Sequence, residues 1–80
     1  NITNSFANNI LRIALEKNFP LSRERISILP NHKLYFIKFN IAVSIDKDFA
    51  CSLTKIVRTA AQAVSEEYSL DAMEFSLEII

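Results

Sequence analysis

Three sets of side chains are of types that do chemistry, and their spacing decides what chemistry is open to them. Cys51 falls at the start of an expected helix, where the positive helix end lowers a thiol pKa. The chain has one cysteine and one histidine, and no partner base for a thiolate can be identified, so a nucleophilic pair cannot be assembled. His32 sits in an expected turn, and Asp46, Asp48, Glu66 and Glu67 supply further ligand types. A metal centre needs several convergent ligands. A lone turn histidine reads as solvated, and carboxylates at helix ends read as caps and solvated groups, so no metal site is expected. Arg23, Arg25, Lys33 and Lys38 gather on the outer side of an expected hairpin, and their chemistry would be phosphate binding to a nucleic acid.

The charge balance weighs against that last use. Nine Lys and Arg are matched by nine Asp and Glu, for a formal net charge of zero, whereas nucleic-acid binding draws most of its affinity from phosphate neutralisation. The cations are expected to pair with Glu24, Glu74 and Glu78; if the third strand lies beside the first, opposite charges face each other across strands. Nucleic acid is therefore the alternative partner, not the leading one. The chain contains no glycine, which removes phosphate-cradling loops, the dinucleotide fingerprint and the nucleophile elbow. It also removes the glycine-containing clamp loop of KH domains. A single cysteine forms no internal disulfide and fits a reducing, cytoplasmic compartment. No enzyme activity and no cofactor are expected.

The elements that position these residues are legible from periodicity. Residues 34–45 alternate strictly, with Tyr35, Ile37, Phe39, Ile41, Val43 and Ile45 on the buried face of a long strand. Residues 4–18 read as a helix capped by Asn4, with Phe6, Ile10, Ile13 and Ala14 on one stripe, widened by Leu11 and Leu15. Asn18 supplies a left-handed helix end, and Pro20 forbids continuation. Residues 23–29 read as a strand with Ile26 and Ile28 inward; Pro30, Asn31 and His32 form the turn. Residues 47–67 are a second helix capped by Asp46 or Asp48. Phe49, Leu53, Ile56, Val57, Ala60, Ala61 and Val64 are buried, with Ser65 outside, and the Ala pair allows close approach to the sheet. Residues 71–80 alternate again, with Met73, Phe75, Leu77 and Ile79 on one side.

The order is αββαβ, one domain over residues 1–80, and its lack of an initial Met is consistent with a piece of a longer chain. The fold class is α+β: a two-layer sandwich with both helices on one face of a three-stranded sheet. The sheet's other face carries Leu34, Phe36, Lys38 and Asn40, together with Arg23, Arg25, Glu74 and Glu78. Large apolar groups on a solvent face mark an interface, and a domain this small gains stability by association. Leu34, Phe36, Lys38 and Asn40 are accordingly the expected interface residues. The expected partner is a second copy or another protein, with no membrane insertion.

From Arg25 onward the chain resembles a known domain type. RISILPNHKLYFIKFNIAVSIDKD is similar to the hairpin of the cytoplasmic C-terminal domain of cation diffusion facilitator transporters, and VRTAAQAVSEEYSLDAMEFSLEI to its helix and last strand. The resemblance implies a dimerising regulatory domain at the membrane's cytoplasmic side. Asn40 stands where that family's strand often has His, so metal sensing is not carried over. AVSEEYSLDAMEFSLEI also resembles the alkaline-shock-protein family, which implies an envelope-associated scaffold, with Ser69 in place of its usual Gly. The αββαβ order is shared with ribosome-binding factor A, a KH-like RNA binder. SLDAMEFSLEII resembles the phosphopantetheine-attachment segment of acyl carrier proteins through Ser69, Leu70 and Asp71, but its alternation favours a strand. The leading expectation is a non-catalytic dimerisation or protein-interaction domain.

Overall fold

The computed structural model describes residues 1–31, 34–39, 47–71 and 73–79. Helix α1 spans Ile2–Glu16, strand β1 Ile26–Asn31, strand β2 Leu34–Phe39, helix α2 Lys47–Glu67 and strand β3 Glu74–Ile79. The expected αββαβ order and α+β class are present. The part of the expected long strand beyond Phe39, with Asn40, Ile41, Val43 and Ile45, lies outside the described residues, as do His32, Lys33 and Asp46.

Helix α1 starts earlier than its apolar stripe suggests. Asn1 is the cap: its side-chain oxygen accepts from the Asn4 N–H at 2.8 Å, so Asn4 is a capped donor and not the cap. The extra turn brings Ile2 against the core. Phe6, Ala7, Ile10, Ile13 and Ala14 are buried, whereas Leu15 is 78% exposed and does not widen the stripe. Both helices end in the same way without glycine. The Phe19 N–H donates to the Ala14 carbonyl and the Asn18 N–H to Leu15; after α2, Leu70 donates to Ser65 and Ser69 to Glu66. These paired bonds require one residue in the left-handed region, supplied by Asn18 (φ 55°) and Ser69 (φ 53°). The reversal sends Phe19 back onto Phe49, with ring centroids 4.7 Å apart.

The first strand is shorter at its start than expected. Arg23–Arg25 form a single 3-10 turn, because Arg-Glu-Arg has no apolar side chain to hold one face of a sheet and the alternation begins only at Ile26. At its other end the strand continues through Pro30 and Asn31, which pair with Tyr35 and Leu34, so Pro30 is a strand residue and not part of the turn. Proline is tolerated there because β1 is an edge strand.

The sheet order is β1-β2-β3, with β1 antiparallel and β3 parallel to β2. The third strand therefore lies beside the second and not beside the first. Paired residues share a face, so the register lays the sheet out in rows. Inward rows are Ile26–Phe39–Ile79, Ile28–Ile37–Leu77 and Pro30–Tyr35–Phe75. Phe39 and Ile37 are fully buried, and Phe6 meets Tyr35 edge-on at 5.8 Å.

Leu53, Ile56, Val57, Ala60, Ala61 and Val64 of α2 join α1 and the inward rows in one core. The helices pack on each other more closely than on the sheet. Ala7 and Ala14 of α1 and Ala60 and Ala61 of α2 are all buried in this core, and Ala61 also lines a hollow with Met73 and Phe75 at the start of β3. Ser65, expected on the solvent side, is buried. Its hydroxyl donates to the Ala61 carbonyl at 2.8 Å and accepts from the Met73 N–H at 3.3 Å, which pins the link into β3. Helix α1 lies toward β1 and α2 toward β3. No helix among the described residues is long and apolar enough to cross a membrane.

Candidate interaction surface

The face of the sheet turned away from the helices is built by the alternate residues of the same strands. Its rows run Ser27–Lys38–Glu78 and Leu29–Phe36–Ser76, with Leu34 beside Glu74 beyond them. Leu29 is 57% and Phe36 37% exposed, and they are direct cross-strand neighbours. Leu34, two residues from Phe36 along β2, projects to the same side and is half-buried. The result is an apolar centre on the middle strand and one edge. Lys38, Glu74 and Glu78 stand around it, all exposed.

Of the four expected interface residues, the sheet brings Leu34, Phe36 and Lys38 onto this one face. Asn40 lies outside the described residues. Leu29 belongs with them and was missed, although the alternation that turns Ile26 and Ile28 inward turns Leu29 outward. Cross-strand contact with Phe36 could not be read without the hairpin register.

The basic set is dispersed. Arg23 sits in the 3-10 turn, where its guanidinium donates to the Ile26 carbonyl at 2.7 Å; Arg25 closes the same turn. Lys38 lies on the sheet face in register with Glu78, because β3 runs beside β2. Of the expected cation–carboxylate neighbours the register sets Lys38 beside Glu78, whereas β1 and β3 are not adjacent. Lys33 is outside the described residues.

Cys51 is exposed on the second turn of α2. Among the described residues no group of three or more His, Cys, Asp or Glu converges.

Two of the hollows among the described residues involve α2. One lies along the polar side of α1 and is lined by Asn4, Ser5, Asn8, Asn9, Arg12 and Glu67, among others. Its side chains satisfy one another: Ser5 donates to Glu67 at 2.9 Å, Asn9 to the Ser5 carbonyl at 2.8 Å, and Arg12 to Asn9 at 2.9 Å and Glu16 at 3.1 Å. The second is a groove of about 430 Å³ between the C-terminal half of α2 and the start of β3, floored by Ala61, Met73 and Phe75. Neither was visible in the sequence, since each combines residues from two elements.

Comparison with known protein families, curated proteins and solved structures gives no match to this chain.

Proposed function

We propose that this chain is a non-catalytic association domain that pairs with a second copy of itself through the outer face of its sheet. The observation that carries the reading is the Leu29–Phe36 cross-strand pair, continued by Leu34, on the sheet face turned away from the helices. Clustered exposed apolar groups rimmed by polar ones mark an interaction site, whereas scattered ones do not. The rim supports a second copy in particular. It carries both signs of charge, Lys38 against Glu74 and Glu78, and the whole chain has zero formal net charge, so two copies meet without a large like-charge penalty.

The resemblance to the cytoplasmic domain of cation diffusion facilitators belongs to the same reading: a regulatory dimerisation module on the cytoplasmic side. The scaffold role of the alkaline-shock family is the alternative within it. RNA binding is the weaker competitor, because Arg23 is spent on a local carbonyl and Lys38 stands beside Glu78.

The test is Phe36→Asp, followed by sedimentation velocity from low to high micromolar protein, with circular dichroism as the check on folding. A buried charge at an apolar interface is expected to shift association at least tenfold to higher concentration, with the fold intact. A correctly folded variant that associates as the parent does sinks the assignment of this face.

A further inference from the structure

A second open surface among the described residues is the outer edge of β3. Among the described residues β3 pairs only with β2, so every second residue turns its backbone N–H and C=O outward, a template for another strand. The core thins toward this edge. The inward residues of β1 and β2 next to the helices, Ile26, Ile28, Ile37 and Phe39, are buried, while Phe75, Leu77 and Ile79 of β3 are only half-buried. Above the edge runs the groove whose floor contains Met73 and Phe75, with Leu70 at its end, 47% exposed.

The wall of the groove on α2 carries Arg58, Gln62 and Glu66. They are spaced i, i+4, i+8, so they form one stripe. The end charges are about 12 Å apart along the helix, too far to meet each other. Neither Arg58 nor Glu66 has a partner among the described residues. A stripe reading cation, amide, anion is complementary to itself when reversed. A two-fold axis through Gln62 sets Arg58 opposite the partner's Glu66, Glu66 opposite the partner's Arg58, and amide opposite amide. That is the self-matching patch an isologous dimer requires.

We propose that a second copy of this chain docks antiparallel along the β3 edge, with Arg58 and Glu66 exchanged across the two-fold and Leu70, Met73 and Phe75 covered beneath them. This contact is separate from the outer sheet face and does not depend on it.

The experiment is sedimentation equilibrium at low salt in the Phe36→Asp background, which disables the outer face. Arg58→Glu and Glu66→Arg are made singly and together. Each single reversal turns two attractive pairs into two repulsive ones and is expected to weaken the remaining association roughly tenfold; the double reversal restores it. Both side chains are exposed and unpartnered among the described residues, so folding should survive, with circular dichroism as the check. Concentration-dependent protection of β3 amides from hydrogen exchange is the second readout. Single reversals without effect, a double variant as weak as the singles, or a Phe36→Asp protein already monomeric at high concentration each overturns the edge dimer. In the last case the outer-face contact stands alone. A Phe36→Asp protein that associates fully and responds to the charge swap removes the outer face and keeps the edge.

Discussion

Ser65 gives the sharpest test of how α2 is joined to β3. It is 7% exposed in the last turns of α2, with its hydroxyl between the Ala61 carbonyl and the Met73 N–H. In Ser65→Ala the Ala61 carbonyl keeps its helical role, but the Met73 N–H loses its acceptor. An unsatisfied buried donor costs about 1–3 kcal/mol. Met73 is half-buried and the bond is long, so the low end applies, about 1–1.5 kcal/mol. Alanine returns about 0.5 kcal/mol through helix propensity, for a net loss of about 0.5–1 kcal/mol. Ser52 is exposed on the same helix with no hydrogen bond of its side chain among the described residues, so Ser52→Ala isolates the propensity gain. Urea denaturation at 25 °C should place the two variants on opposite sides of the parent, about 1–1.5 kcal/mol apart with equal slopes. A domain of this size should show the gap as several degrees in melting midpoint. If Ser65→Ala stabilises the protein as much as Ser52→Ala does, the hydroxyl is not holding the link, and the account of why a polar side chain is buried there is wrong.

Other perturbations follow from the same geometry. Ile37 is fully buried at the centre of the sheet, and Ile37→Ala should cost about 2–5 kcal/mol. A domain of this length holds roughly 4–12 kcal/mol in total, so urea titration should show a large drop in midpoint, and an unchanged midpoint would mean the inward rows are misassigned. Ser69 holds φ 53°, and Ser69→Gly should raise stability by about 0.5–1 kcal/mol by relieving the left-handed penalty; a lower melting temperature would refute this. The outer-face variant Phe36→Asp and the Arg58/Glu66 charge swap test association, with folding expected to be preserved in all of them.

What the sequence disclosed was whatever depends on period. The stripe of α2, from Leu53 to Val64, is buried as its spacing requires, and its bounds at Lys47 and Glu67 match. Alternation assigned the faces of the described parts of β2 and β3 correctly, and so placed Leu34, Phe36 and Lys38 together on the outer face of the sheet. What stayed hidden depends on neighbours that are distant in sequence. Strand order is one case: period-2 patterns do not say which strand lies beside which, so the cross-strand neighbour of Lys38, Glu78, could not be read from them. Ser65 is another, because a helix stripe is defined by apolar residues and a hydroxyl buried to receive a later N–H breaks it. Leu15 reads as part of the stripe but is left exposed where the chain reverses at Asn18. The Arg58–Gln62–Glu66 stripe is readable as spacing, but its place beside the free strand edge is not.

The parallel pairing of β2 with β3 also sets an order of events during synthesis. β1 and β2 are adjacent in the chain and can close as a hairpin at once. The second edge of β2 waits until all of α2 and then Glu74–Ile79 have been made. At about 5–20 residues per second this interval is roughly 2–8 s, during which Tyr35, Ile37 and Phe39 lie on a strand with one side unpaired. The completing strand is thus also the one that shields the nascent chain, and chains halted before Glu74 are expected to partition into aggregates or onto chaperones while the finished domain stays in solution.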